Sequence, residues 1–418
     1  VRRQGLVVIG LLFLAVLLEA VAHHFAYDHV IVWAQFNAML DASTRACGER
    51  VARAPPLEAP WWWSYLFSIV GGALALRAGP RRVAILGALG AAAGVAAMPL
   101  AGVSFASFLL GIGVGLFRPC PLVMAAELVD DGPRDHRRFT ALAAVALANG
   151  AAYDIARAKA PLLAVASSHA VGEEVVVAAT VMMFIASAAL VALARKRVDE
   201  PVAPSLRDPY RANVATETSA PLEGCSGSAL RALVFIVTPL MFAVSVAFYL
   251  EVPNGARPTF LVHTFHAPVR IMASCAFVAL AIVAIRFRWS APALGAWAAA
   301  LVVYGVGLVP ALGVVGSTNF IDPPSFFASA ILCSVATPLL TCISASYLVL
   351  SAPRRYAPLA LGVWSFVLGV VPYPAMLRAW HLGRPALLML CAVTFITAGA
   401  VLLSFARDLQ RSLFEPRS

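Results

Sequence analysis

The chain has 418 residues, of which 61% are hydrophobic and only 12% charged, where a soluble domain carries about 25% charge. So little polar surface excludes an ordinary soluble globule, and a mean hydropathy of +0.84 makes the bilayer the missing solvent. A net charge of +10 would suggest nucleic-acid binding in a soluble protein, but here the arginines sit in short clusters between apolar runs, and no nucleic-acid partner is expected.

At about 20 apolar residues per crossing, the runs bounded by charge, Pro or Gly predict twelve spanning helices. They lie near 5–36, 60–77, 83–102, 104–128, 139–166, 174–194, 231–250, 268–286, 291–314, 324–351, 357–377 and 384–406. Helix 1 has some marks of a signal peptide: Arg2 and Arg3 precede an apolar run, and Ala20-Val21-Ala22 resembles a cleavage site. Glu19 beside that site, and the topology that follows, favour its retention as a span. Trp61-Trp62-Trp63 opens helix 2 as an interfacial aromatic anchor. Glycines at 71, 72, 79, 87, 90, 94, 111, 113 and 115 give helices 2 to 4 small faces on which backbones can approach closely. Gly111-x-Gly113-x-Gly115 inside a span follows no strand, so it is not a nucleotide fingerprint.

The basic clusters fall before helix 1 and after every even-numbered helix. Seventeen basic residues lie on that side, against seven on the other (Arg45, Arg50, Arg53, Arg257, Arg270, Arg378 and Arg384). The positive-inside rule makes the first side the cytoplasm and puts both termini there. Asp199–Ser228 is polar and without periodicity, as expected of a flexible linker. The expected layout is an all-α membrane protein of two six-helix lobes, 1–197 and 230–418, joined by a cytoplasmic linker at 198–229. The seven cysteines are scattered, with no metal-ligand spacing. Neither a disulfide framework nor a metal site is expected.

Between helices 2 and 3, Gly72-Ala73-Leu74-Ala75-Leu76-Arg77-Ala78-Gly79-Pro80-Arg81-Arg82 resembles the glycine- and arginine-rich loop of the major facilitator superfamily, with Leu76 where that family has Asp. A second match is to the proton-dependent oligopeptide transporters within it. Gly113-Val114-Gly115-Leu116-Phe117-Arg118-Pro119-Cys120, then Asp130-Asp131-Gly132-Pro133-Arg134-Asp135 and Phe139, is similar to that family's helix 4 and following loop. Asn149-Gly150-Ala151 resembles its next element, about two residues further along than in the family. Ser351-Ala352-Pro353-Arg354-Arg355-Tyr356 with Leu361-Gly362-Val363-Trp364 resembles the junction of helices 10 and 11, and Glu251 weakly matches an acid on helix 7. The resemblance implies a twelve-helix major facilitator fold. It also implies a cytoplasmic gate at Gly72, Arg77, Gly79, Arg81, Arg82, Asp131 and Arg134, with Trp364 on the cavity wall. Departures are evident: Ala20-x-x-His23-His24-Phe25-Ala26-Tyr27-Asp28 replaces an acid-rich helix 1 motif, Arg118 replaces a lysine, and Thr337 stands where the helix 10 acid belongs.

A charge at bilayer depth costs about 2.5–3.5 kcal/mol even on a lenient insertion scale, so it is expected to face a cavity or a partner. On helix 1, Glu19, His23 and Tyr27 share one stripe, and His24 and Asp28 the next. Helix 4 adds Arg118. Helix 5 adds Asn149, Tyr153, Asp154, Arg157 and Lys159. These groups are expected to meet in one volume of the N-terminal lobe that holds substrate and proton, with Arg118 taking an anionic group. Glu19–His23 and Asp154–Arg157/Lys159 could equally be ion pairs that lock helices together.

The expected function is secondary transport of a small polar, peptide- or amino-acid-like solute across the inner membrane by a monomer, driven by a proton gradient without a cofactor. Efflux of amphipathic compounds and a non-transporting sensor derived from a transporter remain as alternatives. No enzyme motif such as GxSxG or HExxH is present.

Overall fold

The computed structural model describes residues 3–26, 59–98, 103–129, 140–156, 172–194, 227–251, 267–286, 293–316, 323–352, 356–369 and 383–414. These residues form twelve helical spans: α1 (Arg3–His24), α2 (Ala59–Ala78), α3 (Pro80–Ala96), α4a (Val103–Phe117) with α4b (Cys120–Val129), α5 (Thr140–Ala156), α6 (Glu173–Leu193), α7 (Gly227–Glu251), α8 (Ala267–Arg286), α9 (Ala293–Gly316), α10 (Pro323–Ser351), α11 (Ala357–Gly369) and α12 (Arg384–Phe414). Large apolar side chains such as Phe235, Leu193, Met272, Met389 and Leu390 are exposed on the outside, as lipid-facing surface requires.

Three boundaries differ from the sequence expectation. Helix 4 breaks at Arg118–Pro119, because proline has no N–H to donate and its ring clashes with the carbonyl four residues back. Helix 12 runs on to Phe414, since Arg407–Phe414 contains no Gly or Pro to stop it. At 31 residues and 1.5 Å per residue, α12 exceeds a hydrocarbon core of about 30 Å. Helix 7 starts at Gly227, inside the stretch read as linker; residues 195–226 lie outside the described set.

Small residues set the helix crossings of the first bundle. A Cβ at Gly87 would stand 2.6 Å from Phe117 N and one at Gly94 2.6 Å from Leu110 N, so α3 and α4a meet almost backbone to backbone. Gly79 adopts φ 85° between α2 and α3, a conformation glycine reaches without steric cost. In the second bundle, α9 packs on α10 and α12. Trp297 donates its indole N–H to Ser344 Oγ at 2.9 Å, and Tyr304, Phe395 and Tyr347 fill the core.

Two seams join the bundles. Along α2 and α11 a Cβ at Gly72 would stand 2.5 Å from Pro358 O, one at Gly362 would collide with Ser68 O, and Ser68 Oγ donates to Gly362 O at 2.9 Å. Beside it, Val123, Leu142, Val349, Ala357 and Leu361 form an apolar cluster shared by α4b, α5, α10 and α11. The second seam brings α5 against α8 and α10 and is described with the site.

Candidate functional site

The inward stripe of α1 runs Leu12, Ala15, Val16, Glu19, Ala20, His23. Glu19 therefore occupies a position that helical periodicity assigns to the core. It has no solvent-exposed surface (0%), and His23 and His24 are nearly as enclosed. Ser187 Oγ on α6 donates to Ala15 O at 2.8 Å, fixing this helix one turn before Glu19. Just past His24 the helix widens into a π turn at Phe25–Ala26, a form that concentrates at functional sites. The two imidazole rings lie 5.8 Å apart, centroid to centroid.

Arg118 sits at the break in helix 4. Its N–H still bonds Val114 O at 3.0 Å and closes α4a, while Pro119 prevents the helix from continuing. Its guanidinium lies over the Tyr65 ring of α2, 4.2 Å from the centroid, a cation–π geometry. On α5, the Tyr153 hydroxyl donates to Glu19 Oε2 at 3.1 Å. Glu19, Tyr65, Tyr153 and His23 all lie within electrostatic reach of Arg118. Four helices thus converge: α1, α2, the α4 break and α5.

Glu19 and Arg118 do not touch, since no direct ion pair joins them among the described residues. Glu19 Oε1, Arg118 Nη1 and Asn149 Oδ1 are enclosed without a hydrogen-bond partner among those residues. Native structures leave few such groups unsatisfied. Glu19 and Arg118, within reach of each other's charge, thus retain one unbonded acceptor and one unbonded donor among the described residues.

Asp154 is the next residue after Tyr153. It faces the second bundle, where its Oδ1 is 3.9 Å from Arg270 Nη1 on α8. Arg270, counted in sequence among the extracytoplasmic basic residues, is the fourth residue of α8 and only 9% exposed. The alternative partners, Arg157 and Lys159, lie outside the described residues, as do Tyr27, Asp28, Asp131 and Arg134. Glu251 is the last residue of α7. Trp364, expected on a cavity wall, is packed among apolar residues of the second bundle, with Ala143, Ala146 and Leu147 of α5 in the same cluster. Thr337 donates to Cys333 O of its own helix at 2.6 Å.

In the loop between α2 and α3, Arg81 Nη2 donates to Ala192 O at the end of α6, where a cation meets the negative pole of the helix. Arg77 and Arg82 are exposed, and Gly72 lies in the α2–α11 seam. Sequence reasoning missed Tyr65 and Arg270. The Trp61–Trp63 run drew the eye from Tyr65, and a position near a helix end hid Arg270.

The sequence model of the Major Facilitator Superfamily matches residues 59–376. Among solved structures, a mutant form of the peptide transporter POT superposes with a TM-score of 0.58 at 14% identity, covering 97% of this chain and 95% of that one. The same transporter mutant in complex with alafosfalin gives 0.58 at 15% identity over 97% and 95%. An auto-inhibited POT family peptide transporter gives 0.51 at 15% identity over 96% of each chain. At such identities the likeness establishes the fold. No match was found among curated protein sequences.

Proposed function

The chain belongs to the Major Facilitator Superfamily, and on that premise we propose that it is a secondary active transporter of a small polar, peptide- or amino-acid-like solute. It works across the inner membrane, as a monomer with both termini in the cytoplasm, by alternating access coupled to protons. The solute reading is supported by the POT structures it resembles, one of which holds alafosfalin.

The observation that carries the proposal is the enclosed Glu19, held by Tyr153 and sharing its surroundings with Arg118. An ionisable pair at this depth is costly to keep unless it serves a cargo. The coupling proton rides on the titratable groups of the first bundle, Glu19 and His23, or on Asp154 at its seam with the second. Substrate enters when the bundles part on one side and leaves when they part on the other. The α2–α11 and α5–α8 seams are the surfaces that must open and close.

The test is accumulation by proteoliposomes under an inward proton gradient, screened with peptides and amino acids. Uptake of at least one solute is expected. Glu19→Gln should abolish accumulation against a gradient while leaving exchange of the same solute measurable. A protein that accumulates nothing across the screen is not the transporter proposed.

A further inference from the structure

Resting on that transport reading, the charge layout narrows the cargo. Glu19 and Arg118 sense each other's charge but form no ion pair. Each is instead propped from one side by a neutral partner. The Tyr153 hydroxyl occupies Glu19 Oε2, and the Tyr65 ring lies under the guanidinium. Glu19 Oε1, Arg118 Nη1 and Asn149 Oδ1 remain enclosed and unbonded among the described residues. Tyr153 is a common neighbour of Glu19 and Arg118. Asn149 precedes it by one helical turn on the same face of α5.

These three atoms define a ligand by complement. Arg118 can only donate, whereas an ionised carboxylate and an amide oxygen can only accept. A carboxylate would satisfy Arg118 Nη1, and an ammonium, with three donors, would satisfy Glu19 Oε1 and Asn149 Oδ1. Local charge balances as well. The site carries one acid and one cation, so a zwitterion leaves neither uncompensated, while a lone anion would face the Glu19 carboxylate.

Both charge complements belong to the first bundle. In the second, the one buried charged side chain among the described residues is Arg270, and Asp154 answers it. We infer that the site binds a compact zwitterion, an α-amino acid rather than a di- or tripeptide, with its carboxylate on Arg118 and its ammonium on Glu19 and Asn149. Each added residue moves the charged ends of a peptide apart by about 3.3–3.6 Å, away from a pair sharing the Tyr153 hydroxyl as neighbour.

The experiment is a binding ladder on the full chain in lipid nanodiscs, read by calorimetry. The ligands are the twenty L-amino acids and, for each, its dipeptide with alanine, its methyl ester and its decarboxylated amine. At least one amino acid should bind about tenfold or more tightly than all three derivatives, since each loses or displaces one charge-assisted contact. Glu19→Gln and Arg118→Gln should each remove that preference in protein that still elutes as a single folded species. If either variant fails to fold, the wild-type ladder decides alone. A dipeptide or ester binding as tightly as the parent, or no amino acid binding at all, overturns the inference. Uptake by proteoliposomes of the same preparation separates the two proposals. Amino-acid binding without uptake removes the transport reading and keeps this site assignment; accumulation of peptides alone does the reverse.

Discussion

The Arg270 guanidinium of α8 stands 3.9 Å from the Asp154 carboxylate of α5, tying the first bundle to the second, with side chains only 11% and 15% exposed. A charge pair in such surroundings is weak evidence for stability when whole, but costly to halve.

Asp154→Asn should therefore destabilise the folded protein by about 3–5 kcal/mol, seen as a lowered thermal midpoint in detergent. Removing both charges, Asp154→Asn with Arg270→Gln, should recover most of that loss. If the double variant is as unstable as the single one, the pair is not coupled as drawn.

Tyr153→Phe removes the donor to Glu19 Oε2 and leaves a second carboxylate oxygen enclosed without a partner. The expected cost is about 1–3 kcal/mol, together with weaker binding of any ligand held by Glu19. Unchanged stability and affinity would mean that the hydroxyl does not hold the acid.

Tyr65 separates ring from hydroxyl. Tyr65→Phe keeps the face beneath Arg118 and gives up only the hydroxyl's hydrogen bond to it, whereas Tyr65→Leu also loses the ring and should cost about a further 0.5–2 kcal/mol of guanidinium stabilisation. Equal affinities for the two variants would remove the cation–π contact from the argument.

Gly150 offers a reporter of the second seam. A Cβ placed there lies 3.1 Å from Cys342 Sγ of α10, within reach of a disulfide. With Gly150→Cys and a protease site in the 198–226 segment, mild oxidation should keep the two halves of the cleaved chain together on a non-reducing gel. Transport should stop until the bond is reduced. Failure to cross-link would place α5 and α10 further apart than described.

Gly362→Ala should part the other seam, because its methyl meets the backbone of Ser68 rather than a side chain that could turn aside. Overpacking of this kind costs about 1–3 kcal/mol. Cross-linking of Gly150→Cys to Cys342 should slow in the combined variant. An unchanged rate would show that the two seams move independently.

Much of the architecture could be read along the chain, since an apolar run long enough to cross a bilayer has few other folds open to it. Each of the twelve predicted spans holds a described helix. Glu19, His23 and Arg118 were legible for a related reason: a charge in such a run is expensive, so its presence is a signal. What was not legible depends on which helix faces which. Nothing near Asp154 in sequence names Arg270, and Tyr65 looks like any interfacial aromatic until Arg118 lies over it. The break at Pro119 was available, because an interior proline is a reason to interrupt a helix, but the unbroken hydropathy on either side masked it. Trp364 belongs with Arg270 and Tyr65, since its place in one cluster with Ala143, Ala146 and Leu147 of α5 depends on which helices meet.

The contact between α2 and α11 also bears on leakage. Where Gly72 meets Pro358 and Gly362 meets Ser68, main chain lies against main chain with no space between. A file of water cannot thread that joint, so ions have no conduit along it while it stays shut.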